Sequence, residues 1–136
     1  MTVRRNLSVT RAHNQLVQRF RQARRDPSLV VLEGFHPIKH AVRFGAEVSS
    51  IVAAEPDSTV QLAEQLAPDV QATFAAQVQG VPHEVFRELS PHPPPTDVMA
   101  LARRPRPSLA ALLDDPAPRP VVYLERPRSL GNIGAA

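Results

Sequence analysis

Fifteen of the sixteen basic side chains are arginine, and seven of these fall within the first 25 residues with no acid among them. A guanidinium is a rigid fork of N–H donors that matches phosphate oxygens. Arginines clustered in this way supply contacts that position a polyanion without reading its sequence. Arg19, Arg21, Arg24 and Arg25 are the densest part of this group, and Arg103, Arg104 and Arg106 form a second one. Residues 26–100 hold three basic and ten acidic groups, and residues 101–136 hold six arginines and three acids. A basic end on a mildly acidic body favours an anionic partner, with nucleic acid first. The same charges also suit a solvated helix face.

Other chemistry is poorly supplied. Cysteine is absent, which excludes disulfides, thiolate catalysis, Cys-based zinc sites and iron–sulfur clusters. A chain without cysteine fits a cytoplasmic location. His36 and His40 are four residues apart and share one helix face, but zinc needs a third protein ligand. His13, His83 and His92 stand at no recognised ligand spacing, and no metal site is expected. Glu33-Gly34 lacks the glycine pattern of a phosphate loop. No Ser/His/Asp order of a known hydrolase is present. Aromatic residues are 4% of the chain, so recognition by shape and phosphate contacts suits it better than base stacking.

The elements that must position these residues follow from pattern. A helix is predicted from about Arg11 to Arg24, capped by Ser8 or Thr10, with Ala12, Leu16, Phe20 and Ala23 as its apolar stripe. Asp26-Pro27 ends it. Leu29–Leu32 reads as a buried strand, Pro37 to Phe44 as a helix stopped by Gly45, and Val48 to Ala53 as a second strand. Asp57 or Ser58 caps a helix carrying Val60, Leu62, Ala63 and Leu66. Val70 to Val78 is open to two readings: Thr73, Phe74 and Val78 allow a strand and the Ala and Gln content allows a helix, with the strand preferred. Pro82 opens a helix bearing Val85, Phe86 and Leu89. Ser90 to Pro95 is a stiff loop, and Asp97 to Ala102 a further strand. Strands alternating with short helices predict a layered α/β domain over residues 1–104 with a largely parallel sheet.

Residues 105–120 read as a Pro-rich linker with a short helical piece, Ser108 to Asp114. Val121–Glu125 then reads as a buried strand running into a turn with Gly131 and Gly134. The 136 residues have room for one domain and a fragment. No apolar run approaches the roughly 18 residues of a membrane span. The expectation is the front end of a longer protein that is not in a membrane.

The ending VVYLERPRSLGNIGAA resembles the first motif of the SpoU/TrmH family of S-adenosylmethionine-dependent RNA 2′-O-ribose methyltransferases. Gly131, Asn132, Ile133 and Gly134 match that motif position for position. The stretches LVVLEGFHPIKHAVRFGAEVSSIV, VFRELSP and TDVMALARRP resemble the family's amino-terminal domain. The resemblance implies a layered α/β/α substrate-binding domain akin to a ribosomal-protein RNA-binding module. It implies that residues 121–136 are the truncated start of a SPOUT (trefoil-knot) domain. Asn132 is the one residue it carries over from the catalytic site; the catalytic Arg is expected two residues beyond Ala136. The turn after the first strand faces RNA in this family, which adds His36, Lys39, His40 and Arg43 to the RNA surface. S-adenosyl-L-methionine is implied for the full-length protein, with ribosomal or transfer RNA as substrate and a homodimer as its assembly. This chain alone is expected to be inactive and to hold no methyl donor. A stand-alone RNA-binding module without catalysis is the alternative.

Overall fold

The computed structural model describes residues 2–117, 119–129, 131 and 133, with side chains from residue 9 onward. The chain divides into a unit Met1–Pro105 and a unit Arg106–Ala136.

The first unit opens with helix α1, Thr2–Ala23. It starts well before Arg11, so neither Ser8 nor Thr10 caps it; no Pro or Gly interrupts Thr2–Ala23. The strip that it buries contains Val17, Phe20 and Ala23, while the predicted Ala12 is exposed. After the Asp26-Pro27 turn come β1 (Leu29–Glu33), α2 (Phe35–Arg43), β2 (Val48–Ala53) and α3 (Pro56–Leu66). Glu55 occupies the cap position of α3 and Pro56 its first turn, where a missing N–H costs nothing. Then follow α4 (Gln71–Gln77), β3 (Val78–Gly80), α5 (His83–Glu88) and β4 (Val98–Arg103).

The sheet order is β1-β4-β2-β3. β1, β2 and β3 point the same way, but β4 runs against them and inserts between β1 and β2. Two ladders are therefore antiparallel and only β2–β3 is parallel, which corrects the largely parallel sheet expected from alternation. The segment Val70 to Val78 is also corrected. It forms α4, with only Val78 starting a strand, because burying Phe74 beside Phe35 (ring centroids 5.2 Å) favours a helical turn over the β-propensity of Val, Thr and Phe.

Alternation along the strands divides the core in two. Val52, Met99 and Leu101 pack with Phe20, Phe86 and Leu89 from α1 and the α5 end. Ile51, Ala53, Val98 and Ala100 pack with Phe35, Ile38, Ala63 and Phe74 from α2, α3 and α4. This is an α/β/α sandwich. β1 is an edge strand, flanked by α1 and α2. A bulge at Ser49 interrupts the β2–β4 register, and its hydroxyl donates to the Leu101 carbonyl at 3.2 Å.

In the second unit, Ser108 caps α6 (Leu109–Leu113) by accepting from the Ala111 N–H at 3.0 Å. The predicted strand Val121–Glu125 is not formed. These residues join no ladder, and Val121, Val122 and Tyr123 are 58%, 63% and 85% exposed. A strand needs a neighbour's N–H and C=O groups, and the described residues of 106–133 contain no second strand.

Candidate nucleic-acid interface

The arginines fall into two classes by what they touch. Arg24 is anchored: its Nη2 donates to Glu33 Oε1 at 2.6 Å and to the Leu89 carbonyl at 3.1 Å. Ser90 Oγ donates to the same carboxylate oxygen at 2.7 Å. Burial works against the Glu33 charge, but the bonds from Arg24 and Ser90 prevail and hold its pKa below the usual carboxylate value. Arg24 thus ties α1 to the end of β1 and to the loop after α5.

Arg43 is likewise anchored. Its Nε and Nη2 grip both oxygens of Asp69 at 2.6 and 2.7 Å. That bond raises the Arg43 pKa and lowers that of Asp69. Arg103 pairs with Glu47 at 3.1 Å. A cation matched by a carboxylate attracts phosphate less than a solitary one.

Arg19, Arg21, Arg25 and Arg104 belong to the other class, as do Arg11, Arg87, Arg106, Arg126 and Arg128. None makes an ion pair among the described residues. The end of α1 and the start of edge strand β1 bring Arg25 and Arg104 together, along with Arg24 and Asp26, on a groove of about 390 Å³ also lined by Leu29, Val30 and Val31. Arg104 is held there by its backbone N–H on the Ser28 carbonyl (2.8 Å) and its Nη2 on the Leu29 carbonyl (3.4 Å). A second groove of about 370 Å³ joins Arg21, Arg24 and Arg25 to Glu88, Ser90 and Pro91. Arg19 lies further back on the polar face of α1, beside Arg11 and Gln22. Arg24, Arg25 and Arg104 therefore share one groove and Arg21, Arg24 and Arg25 the other, while Arg19 lines neither. Arg106 belongs to the second unit and is exposed.

The turn after β1 is rigidly built. Gly34 has φ +98° and its N–H donates to the Val98 carbonyl at 2.9 Å. The Phe35 N–H donates to Thr96 Oγ1 at 3.0 Å, fixing the start of α2 on the Pro-rich loop. From there α2 projects His36, Lys39 and His40 outward. The His36 and His40 rings meet edge to face at 4.6 Å, and His40 lies parallel to Phe44 at 5.8 Å. Burial, with the nearby charges of His36, Lys39 and Arg43, pushes the His40 pKa down. No group of three metal-ligating side chains occurs among the described residues. Phe44 joins this row without a motif of its own; its signal in the sequence is its four-residue spacing from His40, which repeats that of His36 and His40.

Asn132 lies outside the described residues. Among the described residues no helix is long and apolar enough to cross a membrane. Val121–Leu124 is exposed and outside any sheet.

Residues 6–116 match the sequence model of a family described as thiostrepton-resistance methylase, N terminus. No curated protein matches the chain.

Proposed function

The chain belongs to the family defined by the N terminus of thiostrepton-resistance methylase, a SpoU-type 2′-O-methyltransferase, and we propose that its work in such an enzyme is to hold the RNA. S-adenosylmethionine serves as methyl donor of the complete enzyme in this reading, and ribosomal or transfer RNA is the substrate. The observation that carries the reading is the set Arg19, Arg21, Arg25 and Arg104, without ion-pair partners among the described residues, of which Arg21, Arg25 and Arg104 line the two grooves. Arginine that is not neutralised internally is available to phosphate. Each phosphate contact releases condensed counterions, so affinity falls with salt in proportion to the contacts made.

Arg24, Arg43 and Arg103 have a different part in this proposal. They hold the frame on which the open arginines stand, and contribute less to binding. The grooves suit a backbone in that arginines outnumber carboxylates in each: Arg24, Arg25 and Arg104 against Asp26, and Arg21, Arg24 and Arg25 against Glu88.

Fluorescence anisotropy of a labelled, structured RNA titrated with the 136-residue chain tests the proposal. The expected result is saturable binding that weakens steeply as salt rises. Binding too weak to detect at about 50 mM salt would remove the RNA-holding role.

A further inference from the structure

We infer that Phe44 is a stacking platform for an unpaired base of the bound RNA; this inference rests on the RNA-holding reading above and gives that reading a contact of a different chemistry. His36, His40 and Phe44 follow one another at four-residue intervals on α2 and its cap, and their rings form a continuous ladder. The His40 ring lies within 7° of the Phe44 plane, which orients Phe44 from one side. Phe44 is nonetheless 80% exposed. It sits at the C-cap of α2, where its N–H donates to the His40 carbonyl at 2.9 Å and the chain turns away through Gly45 at φ +76°. The backbone at Phe44 is held and His40 lies parallel to a flat apolar ring that remains open to solvent.

The surroundings select the kind of occupant. Gly45, Ala46 and Glu47, which follow the ring in sequence, are exposed and small or charged. Lys39, the one lysine of the chain, is close enough to influence both His40 and Asp69. Arg43 is the nearest cation in sequence that could fold over the ring, and its bidentate bond keeps its guanidinium on Asp69. A ring open to stacking next to a cation matches a base with its attached phosphate, and unpaired bases are what aromatic side chains take from RNA.

The position also agrees. Phe44 precedes β2 at the end of the sheet where β1 begins and β4 finishes. There Arg103 N–H donates to the Glu47 carbonyl and Arg104 N–H to the Ser28 carbonyl. The ring and the Arg25–Arg104 groove thus lie toward the same end of the sheet, the ring on the α2 layer and the groove where α1 meets β1.

The test uses the 136-residue chain with two RNAs, a hairpin with an unpaired loop and a fully paired duplex of the same stem. Phe44→Leu keeps an apolar side chain but loses the π face. It is expected to weaken hairpin binding roughly 5- to 150-fold, to leave duplex binding and the salt slope unchanged, and to be rescued by Phe44→Trp. Unchanged hairpin binding, or equal losses on both RNAs, would overturn the inference. So would a loss of self-association in Phe44→Leu, because it would give the ring to a second copy of the chain. Failure of the unaltered chain to bind either RNA would remove the underlying RNA reading, a result distinct from all of these.

Discussion

Arg24 and Arg25 are neighbours with opposite assignments, and substituting each by Gln separates them. Arg24→Gln removes the bond to Glu33 Oε1 at 2.6 Å and the bond to the Leu89 carbonyl at 3.1 Å. The ion pair is part-exposed, with side chains 32% and 38% accessible, so it is worth at most about 1 kcal/mol. The bond to a part-buried carbonyl adds about 1 kcal/mol. The expected loss is about 1–2 kcal/mol, or a fall in Tm of about 4 °C or more for a domain of this size. Arg25→Gln breaks no ion pair among the described residues and should change stability by less than about 0.5 kcal/mol. It should instead reduce the salt slope of RNA binding by roughly 0.7–0.9. Thermal unfolding by circular dichroism and salt-dependent anisotropy read the two effects. Equal destabilisation by both substitutions, or an unchanged Tm in Arg24→Gln, would refute the division of the arginines into anchored and open classes.

Three further outcomes follow from the same structure. The folded state holds the Glu33 carboxyl below its usual pKa. Its contribution is therefore complete above the unfolded value near about 4.3 and is lost as pH falls through the lower folded value; Glu33→Gln should flatten the acid limb of a stability–pH curve. Phe74→Ala, at a side chain with no exposure and against Phe35, should cost about 3–5 kcal/mol in chemical denaturation. Gly34→Ala places a Cβ at φ +98° and 3.4 Å from Thr96 Oγ1, and should lower stability by about 1–3 kcal/mol by the same measurement.

The elements legible in the sequence are those in which pattern and punctuation agree. Val48–Ala53 is bounded by Gly45 and Pro56, and Ser108 before an apolar run marks its short helix. The pairing of the last strand is not legible. Nothing local in Val98–Arg103 states that it returns between β1 and β2, since that depends on which edges are open when the loop after α5 comes back. Val70 to Val78 misleads because Thr73, Phe74 and Val78 favour a strand locally while the space beside Phe35 rewards a helix. Arginine type and number are visible, but the partner of each is not. Asp69 is 26 residues from Arg43, and Glu33 lies nine from Arg24, so only the fold reveals which charges are matched. Of the predicted α1 stripe, Leu16, Phe20 and Ala23 pack on the core together with Val17, while Ala12 is exposed.

RNA holding by four of the open arginines is tested most directly by the slope of log affinity against log salt. The slope is measured for the unaltered chain and for the variant with Arg19, Arg21, Arg25 and Arg104 all replaced by Gln. The expected result is a folded variant whose slope is smaller by roughly 3–4, at about 0.7–0.9 for each phosphate no longer neutralised. A folded variant with the slope of the unaltered chain would contradict the RNA-holding role of these side chains.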